Sequence, residues 1–311
     1  MEQPDGTPSA EVVASPASSE GQPWIIARAV SPEYTIRRIV PEVRFQFSVA
    51  DEHGRLVNSL SADDIRIFDN QRAVQRIRQF SRQDDLPLQV GILLDVSDSV
   101  QKNILREKLE AQFFLRQVLR PRSDHAFLMA FARDVKLWQA STDDPTALRD
   151  AVERVQQPGF ATTNLYDGVF SACLDQFPTP TGHEAAQRVI VLFGDGDDTG
   201  SLHSMADVIA LAQRRETQIF ALSVHQKRRS APGDNVLQRL ADETGGRLYV
   251  ANSDKELSAI FTDMEQQMRT QYSVSFQPEQ ETRGFHALRL ELAGPAKLRI
   301  RARQGYYFDA P

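Results

Sequence analysis

Between residues 86 and 271, short apolar runs alternate with amphipathic stretches, and this alternation limits the fold more than any other feature of the chain. The run 88–94 is almost wholly apolar, as in a strand covered on both faces. A helix is predicted over 102–119, where Leu105, Leu109 and Phe113 recur every four residues. A strand at 126–132 and helices near 145–156 and 165–177 follow. Next come a strand at 189–193, a helix at 203–216, a strand at 219–224 and a helix at 234–244. A strand at 248–250 and a helix at 254–271 complete the series. Strands alternating with helices predict βαβ units, hence an α/β, doubly wound, mostly parallel sheet over 84–270.

The flanks have a different period. Val43, Phe45, Phe47 and Val49 alternate with polar residues, as in a half-buried strand. Asp51-Glu52-His53-Gly54 supplies a turn, and strands are predicted at 65–68 and near 74–80. Beyond 271, Tyr272, Val274 and Phe276 form one period-2 stripe. Leu288, Leu290 and Leu292 form a second, and Leu298, Ile300 and Ala302 a third. Short sheets are marginal alone, so 35–83 and 271–311 are expected to pack together as one small all-β module. Lys297, Arg299, Arg301 and Arg303 alternate with the third stripe and read as a solvated face that protects a strand edge.

Residues 1–34, rich in Ser, Pro, Ala and Glu toward their start, read as a disordered leader. They lack the basic start and apolar core of a signal peptide, so an export address is not expected in the chain as given. No apolar run approaches the ~18 residues of a membrane span. With 36 basic and 42 acidic residues the net charge is −6, which argues against a dedicated nucleic-acid binder. Cys173 is the only cysteine, which excludes an intrachain disulfide, and it is expected to pack on the inner face of its helix.

Ligands of open parallel sheets bind at the carboxyl ends of the strands, so the residues there carry the functional argument. Asp95-Val96-Ser97-Asp98-Ser99 follows the first strand of the series, and Gly194-Asp195-Gly196-Asp197-Asp198-Thr199 follows the strand at 189–193. Thr162-Thr163-Asn164 precedes the helix at 165. If the strands are neighbours, one rim gathers carboxylates and hydroxyls, hard oxygen donors that suit Mg²⁺, Mn²⁺ or Ca²⁺ rather than zinc or copper. Taken singly, Asp95, Ser97 or Ser99 is better read as a helix cap. Asp197 and Asp198 read as a solvated loop, and Asp167, in a first helical turn, as structural.

The ordered set Asp95-x-Ser97-x-Ser99, Thr163 and Asp195 resembles the metal-ion-dependent adhesion site of von Willebrand factor A domains. The chain is also similar, from about 43 to 308, to bacterial VWFA-related proteins. The matching pieces include Asn58-Ser59-Leu60-Ser61-Ala62-Asp63-Asp64, Asn164-Leu165-Tyr166-Asp167, Glu243-Thr244-Gly245-Gly246-Arg247 and Gly305-Tyr306-Tyr307. The resemblance implies that Ser97 and Ser99 ligate the metal and that Thr163 does so directly or through water. Asp95 and Asp195 would then accept hydrogen bonds from metal-bound waters. It further implies an open metal position that captures an Asp or Glu carboxylate of a protein partner, and an extracytoplasmic placement. Two positions depart from the pattern: Asp98 stands where many relatives have Gly, and Gly194 where many have Thr.

The expected function is therefore a divalent-metal-dependent binding or adhesion module and not an enzyme. The alternatives are a metal-dependent phosphatase or hydrolase of an α/β fold, and a metal-free structural interaction module. A phosphatase of the haloacid dehalogenase type needs a carboxylate acid/base two residues after its nucleophilic Asp, where this chain has Ser97. A receiver-like phosphoacceptor needs a lysine after a late strand, and Lys227 is poorly placed. A Gly-x-x-x-x-Gly-Lys loop and a Gly-x-Ser-x-Gly elbow are both missing from the sequence.

Overall fold

A computed structural model describes residues 42–100, 104–157, 159, 162–177, 186–223, 232–251, 253–279, 282–293 and 298–308, with the backbone alone described at Ser99 and Asp254. The predicted leader, Lys227 and Lys297 lie outside these residues. The described elements belong to one unit, Pro41–Pro311.

In chain order the elements begin with strands β1 (Val43–Ala50), β2 (Ile65–Asp69), β3 (Arg72–Ala73), β4 (Ile77–Gln83) and β5 (Leu88–Asp95). Then follow α1 (Ile104–Val118), β6 (His125–Phe131), β7 (Val135–Thr142), α2 (Pro145–Arg154), α3 (Leu165–Ser171) and β8 (Gln187–Gly194). Next are α4 (Met205–Arg214), β9 (Thr217–Ser223), α5 (Pro232–Thr244), β10 (Leu248–Val250) and α6 (Asp254–Arg269). The chain closes with β11 (Gln271–Phe276), β12 (Gly284–Leu292), β13 (Arg299–Ala302) and β14 (Gly305–Phe308).

The central sheet has the order β10-β9-β8-β5-β6-β7, parallel except for the β6–β7 pair. Leu88, Val90, Ile92 and Leu94 of β5 share one core with α1, α2 and α6, while Leu93 shares another with α3, α4 and α5. Two helical layers explain why β5 is apolar at nearly every position. The chain runs outward from β5 to β6 and β7, then returns to place β8 on the other side of β5. That reversal opens a crevice beyond the ends of β5 and β8, where such sheets bind ligands.

The flanks form the all-β module. One sheet has the order β13-β1-β11-β4 and the other β14-β12-β2-β3, so each mixes strands from both ends of the chain. Phe45, Phe47, Ile67, Tyr272, Val274, Phe276 and Phe308 share its core, and Tyr272 stacks between Phe47 and Phe80.

The structure corrects several details. In α1, Leu105 and Leu109 are 75% and 64% exposed, and the buried stripe is Glu107, Glu110, Ala111, Phe114, Leu115 and Val118. A strict four-residue spacing advances about 40° per step, so it drifts off the face that a 3.6-residue period keeps. The strand expected near 74–80 is the short β3 followed by β4, which starts at Ile77. The helix expected over 165–177 is α-helical only to Ser171 and widens into a π-turn at Ala172–Gln176. The edge strand β7, half-exposed and without clean alternation, was not predicted. The basic row is not uniformly solvated. Arg303 donates to the carbonyls of Gln213 and Arg44, and so bridges the all-β module to α4.

One buried ion pair joins the parts. Arg269, at the end of α6, meets Asp124 at 2.5 Å, with both side chains almost wholly buried. Arg269 also donates to the carbonyls of Leu86 and Val118, and Asp124 accepts from the Leu88 and Arg120 N–H groups. Burial alone would raise the Asp124 carboxyl, but the guanidinium and the two N–H groups outweigh it and hold the carboxyl below its ordinary value.

Removing one partner of such a pair strands a buried charge, so Asp124→Ala should cost about 3–5 kcal/mol in chemical denaturation. A depressed pKa stabilises the fold above the ordinary aspartate value of about 3.9, and that contribution is lost as pH falls through the lower folded value. Asp124→Asn should therefore flatten the acid limb of the stability profile; an unchanged limb would remove the pair from this role. We further propose that 84–270 folds independently, whereas the all-β module needs both flanks. Because β11 lies between β1 and β4, deleting 271–311 should leave those strands unpaired and the protein aggregated, while an 84–270 fragment stays soluble. A soluble, cooperatively folding 1–270 fragment would refute this division.

Candidate functional site: the rim beyond β5 and β8

Asp95 ends β5 and is 1% exposed. Its Oδ1 accepts the Ser97 N–H at 2.9 Å, which turns the chain away from the strand and buries Ser97 completely. Asp195 repeats the device after β8: its Oδ1 accepts the Asp197 N–H at 3.0 Å, and Asp195 is 4% exposed. Leu94 pairs with Phe193, so the two aspartates emerge from neighbouring strand ends.

Both departures from the family pattern have a structural reading. A Cβ at Gly194 would stand 3.0 Å from the Asp95 Cβ and 3.3 Å from its Oδ2, so this glycine leaves room for the neighbouring carboxylate. Asp98 is exposed and starts a 3-10 turn at Asp98–Val100, so its carboxylate adds charge to the outer rim. Gly196 has φ +81°, and a Cβ there would lie 2.2 Å from the Gly233 carbonyl; the rim loop and α5 touch backbone to backbone.

The third loop is fastened to the other two. Thr163, 2% exposed, donates its N–H to Thr199 Oγ1 at 2.9 Å, and its carbonyl accepts the Thr199 N–H at 2.9 Å. Asn164 reaches across to the end of β6, through its N–H to the Ala132 carbonyl and its side-chain amide to that of Arg133. The Val96 N–H binds the Phe131 carbonyl, and the Gln157 amide binds that of Ser97. Asp95, Ser97, Thr163 and Asp195 thus stand on three mutually braced loops at one end of the sheet. The Ser99 side chain lies outside the described residues.

Sequence reasoning underestimated the second rank of polar groups. Asp167 accepts the N–H groups of Leu202 and His203 and meets His203 Nδ1 at 2.7 Å. Burial would raise its carboxyl, but these donors hold it below the usual carboxylate range. Asp198 is no mere solvated loop residue: it accepts from the Tyr166 N–H and the Ser201 hydroxyl. The Asp-turn signals were present in the sequence, but the Tyr166, Leu202 and His203 partners lie 32 to 36 residues away and only the fold brings them together.

The electrostatics favour a cation. Burial pushes the Asp95 carboxyl up to about 7; the Ser97 hydrogen bonds oppose this, and the charges of Asp195 and Asp197 add to it. Among the described residues, no Lys or Arg pairs with Asp95 or Asp195. No group of three or more His, Cys, Asp or Glu side chains is gathered as metal ligands there either. Buried hydroxyl oxygens beside uncompensated carboxylates fit a hard, partly hydrated divalent cation.

The family model of the von Willebrand factor type A domain matches residues 90–197, which run from β5 to the Asp195 loop. The chain carries a von Willebrand factor type A domain. No curated protein matches the sequence. Among solved structures, proximal thread matrix protein 1 from the mussel byssus is 17% identical, with 64% of this chain and 51% of that one covered and a TM-score of 0.49. A structure of the same byssus protein with a zinc-occupied MIDAS motif is 15% identical, with coverages of 58% and 48% and a TM-score of 0.45. The conserved hypothetical protein BatB from Bacteroides thetaiotaomicron is 16% identical, with coverages of 57% and 96% and a TM-score of 0.44. The chain thus spans about half the length of the byssus structures. No helix among the described residues is long and apolar enough to cross a membrane.

Asp167 supports the rim of the type A domain rather than its centre. Asp167→Ala should cost about 1–3 kcal/mol through the donors it leaves unpaired, and should speed amide hydrogen exchange at Leu202 and His203. Unchanged exchange at both amides would show that the clasp does not order this loop.

Proposed function

We propose that the domain is a divalent-metal-dependent protein-binding or adhesion module and not an enzyme. Ser97, Ser99 and Thr163 would hold Mg²⁺, or Mn²⁺ or Ca²⁺ in its place, with Thr163 acting directly or through water. Asp95 and Asp195 would accept hydrogen bonds from metal-bound waters. When bound, the cation supplies an open position for an Asp or Glu carboxylate on a protein partner. Neutral direct ligands leave such a cation under-neutralised, so an acidic group is the ligand it favours.

The observation that carries this reading is the pair of buried aspartates, Asp95 and Asp195, at adjacent strand ends, with no basic side chain on either among the described residues. Two uncompensated carboxylates next to a buried hydroxyl are costly without a cation and useful with one. The same rim does not favour acid–base catalysis of the phosphatase type, because Ser97 stands where the second carboxylate would be needed.

A cation that binds only the folded state stabilises it by about 2.7 kcal/mol at a hundredfold excess over its dissociation constant. Mg²⁺ or Mn²⁺ should raise the melting temperature, and EDTA should reverse the rise. The Ser97→Ala/Ser99→Ala protein should lose that increment while its metal-free stability changes little. If the serines only capped a helix, each would cost about 0.5–2 kcal/mol regardless of EDTA. Asp195→Asn should also weaken the metal effect. An equal Mg²⁺ shift in wild type and both variants would place the cation elsewhere, and no shift at tens of millimolar would overturn the reading.

A further inference from the structure

Glu107 is a carboxylate in the wrong place for an ordinary helix. It lies on the sheet-facing stripe of α1, is 0% exposed, and neither side-chain oxygen has a hydrogen-bond partner among the described residues. Its neighbour on the same stripe, Glu110, meets the Arg106 guanidinium through one carboxyl oxygen at 2.7 Å. Buried polar groups are almost always paired, so an exception calls for a physical cause.

Its position supplies one. One and two turns further along α1, Ala111 and Phe114 lie in the core with Leu94 and Phe193, and the Phe114 and Phe193 rings meet edge to face at 6.4 Å. Phe193 and Leu94 immediately precede the strand-end residues Gly194-Asp195 and Asp95. Moving back from Phe114 by two turns therefore carries the helix face up to the level of the rim, and that is where Glu107 sits. The charges of Asp95, Glu110 and Asp195 all act on it, and together with burial, the largest effect, they push its carboxyl well above the usual range.

We infer that the Glu107 carboxylate is a buried positioning group of the rim site, an acceptor behind Asp95 and Asp195 that orients the water shell of the divalent cation. The inference rests on the metal reading above and extends it to a residue outside the matched motif. A Mg²⁺ ion keeps several of its waters, and each carries protons that need acceptors. The two buried carboxyl oxygens at the level of the rim, unpaired among the described residues, meet that need. Outer groups of this kind commonly change metal affinity ten- to a hundredfold.

The test is calorimetric titration of the full chain with MgCl₂ and with MnCl₂, beside melting temperatures in EDTA. Glu107→Gln keeps the shape and removes the charge; Glu107→Leu removes both acceptors and suits an apolar pocket, so one of them should fold. The expected result is a Kd about 10–100-fold weaker in each folded variant, with a metal-free melting temperature equal to or above that of wild type. Equal Kd values in wild type and variants would overturn the role of Glu107 and leave the metal site standing. Loss of metal-free stability in step with affinity, or failure of both variants to fold, would mark a structural residue and overturn it too. No binding by wild type would overturn this inference together with the metal reading on which it rests.

Discussion

The buried pair of Asp124 and Arg269 is the point on which the two halves of the molecule turn. Four of its further hydrogen bonds reach the entry to β5, the end of α1 and the residues leading into β6. Arg269 also ends α6, one residue short of β11, the strand that lies between β1 and β4. A single ion pair thus aligns the strand that ends in Asp95 with the strand that organises the all-β module. Its net energy is modest compared with its directional effect, because desolvating both ions consumes much of the Coulomb gain.

From that anchored base, β5 carries Asp95 to the opposite end of the sheet. There the architecture does the reverse of what it does at the base: it gathers carboxylates and, among the described residues, pairs neither Asp95 nor Asp195 with a Lys or Arg. Asp95 and Asp195 are buried by their own turns, and Glu107 is brought up from below by α1. The surrounding clasps, Thr163 with Thr199 and Asp167 with His203, hold the loops so that this unfavourable grouping persists in the folded state. Stability elsewhere in the fold offsets the cost of burying these carboxylates together.

Much of this was legible from spacing. The βαβ alternation over 86–271 marks the parallel sheet, and the apolar run at 88–94 marks its centre. The loops that follow the strands mark the rim, since open α/β sheets bind at strand ends whatever their sequence. The exposed Leu105 and Leu109 show where spacing misleads: apolar residues four apart resemble a buried face, while the true face held two glutamates. Reading α1 at 3.6 residues per turn from Phe114 and Val118 backward would have reached Glu110 and Glu107. The edge strand β7 was silent because an edge exposed on one side needs no strict alternation.

The sequence by itself determined the fold class, the order of strands and helices, the absence of an intrachain disulfide and which carboxylates and hydroxyls follow the strands. These follow from local rules, in which a residue's neighbours along the chain decide its backbone and its solvent preference. Tertiary structure alone decided which strands pair across more than two hundred residues, that Gly194 makes room for Asp95, that Arg303 bridges rather than faces solvent, and that Glu107 has no hydrogen-bond partner among the described residues. Each of these is a matter of which groups meet and which are left unsatisfied, and that is set by packing between segments distant in sequence, where no local period carries information.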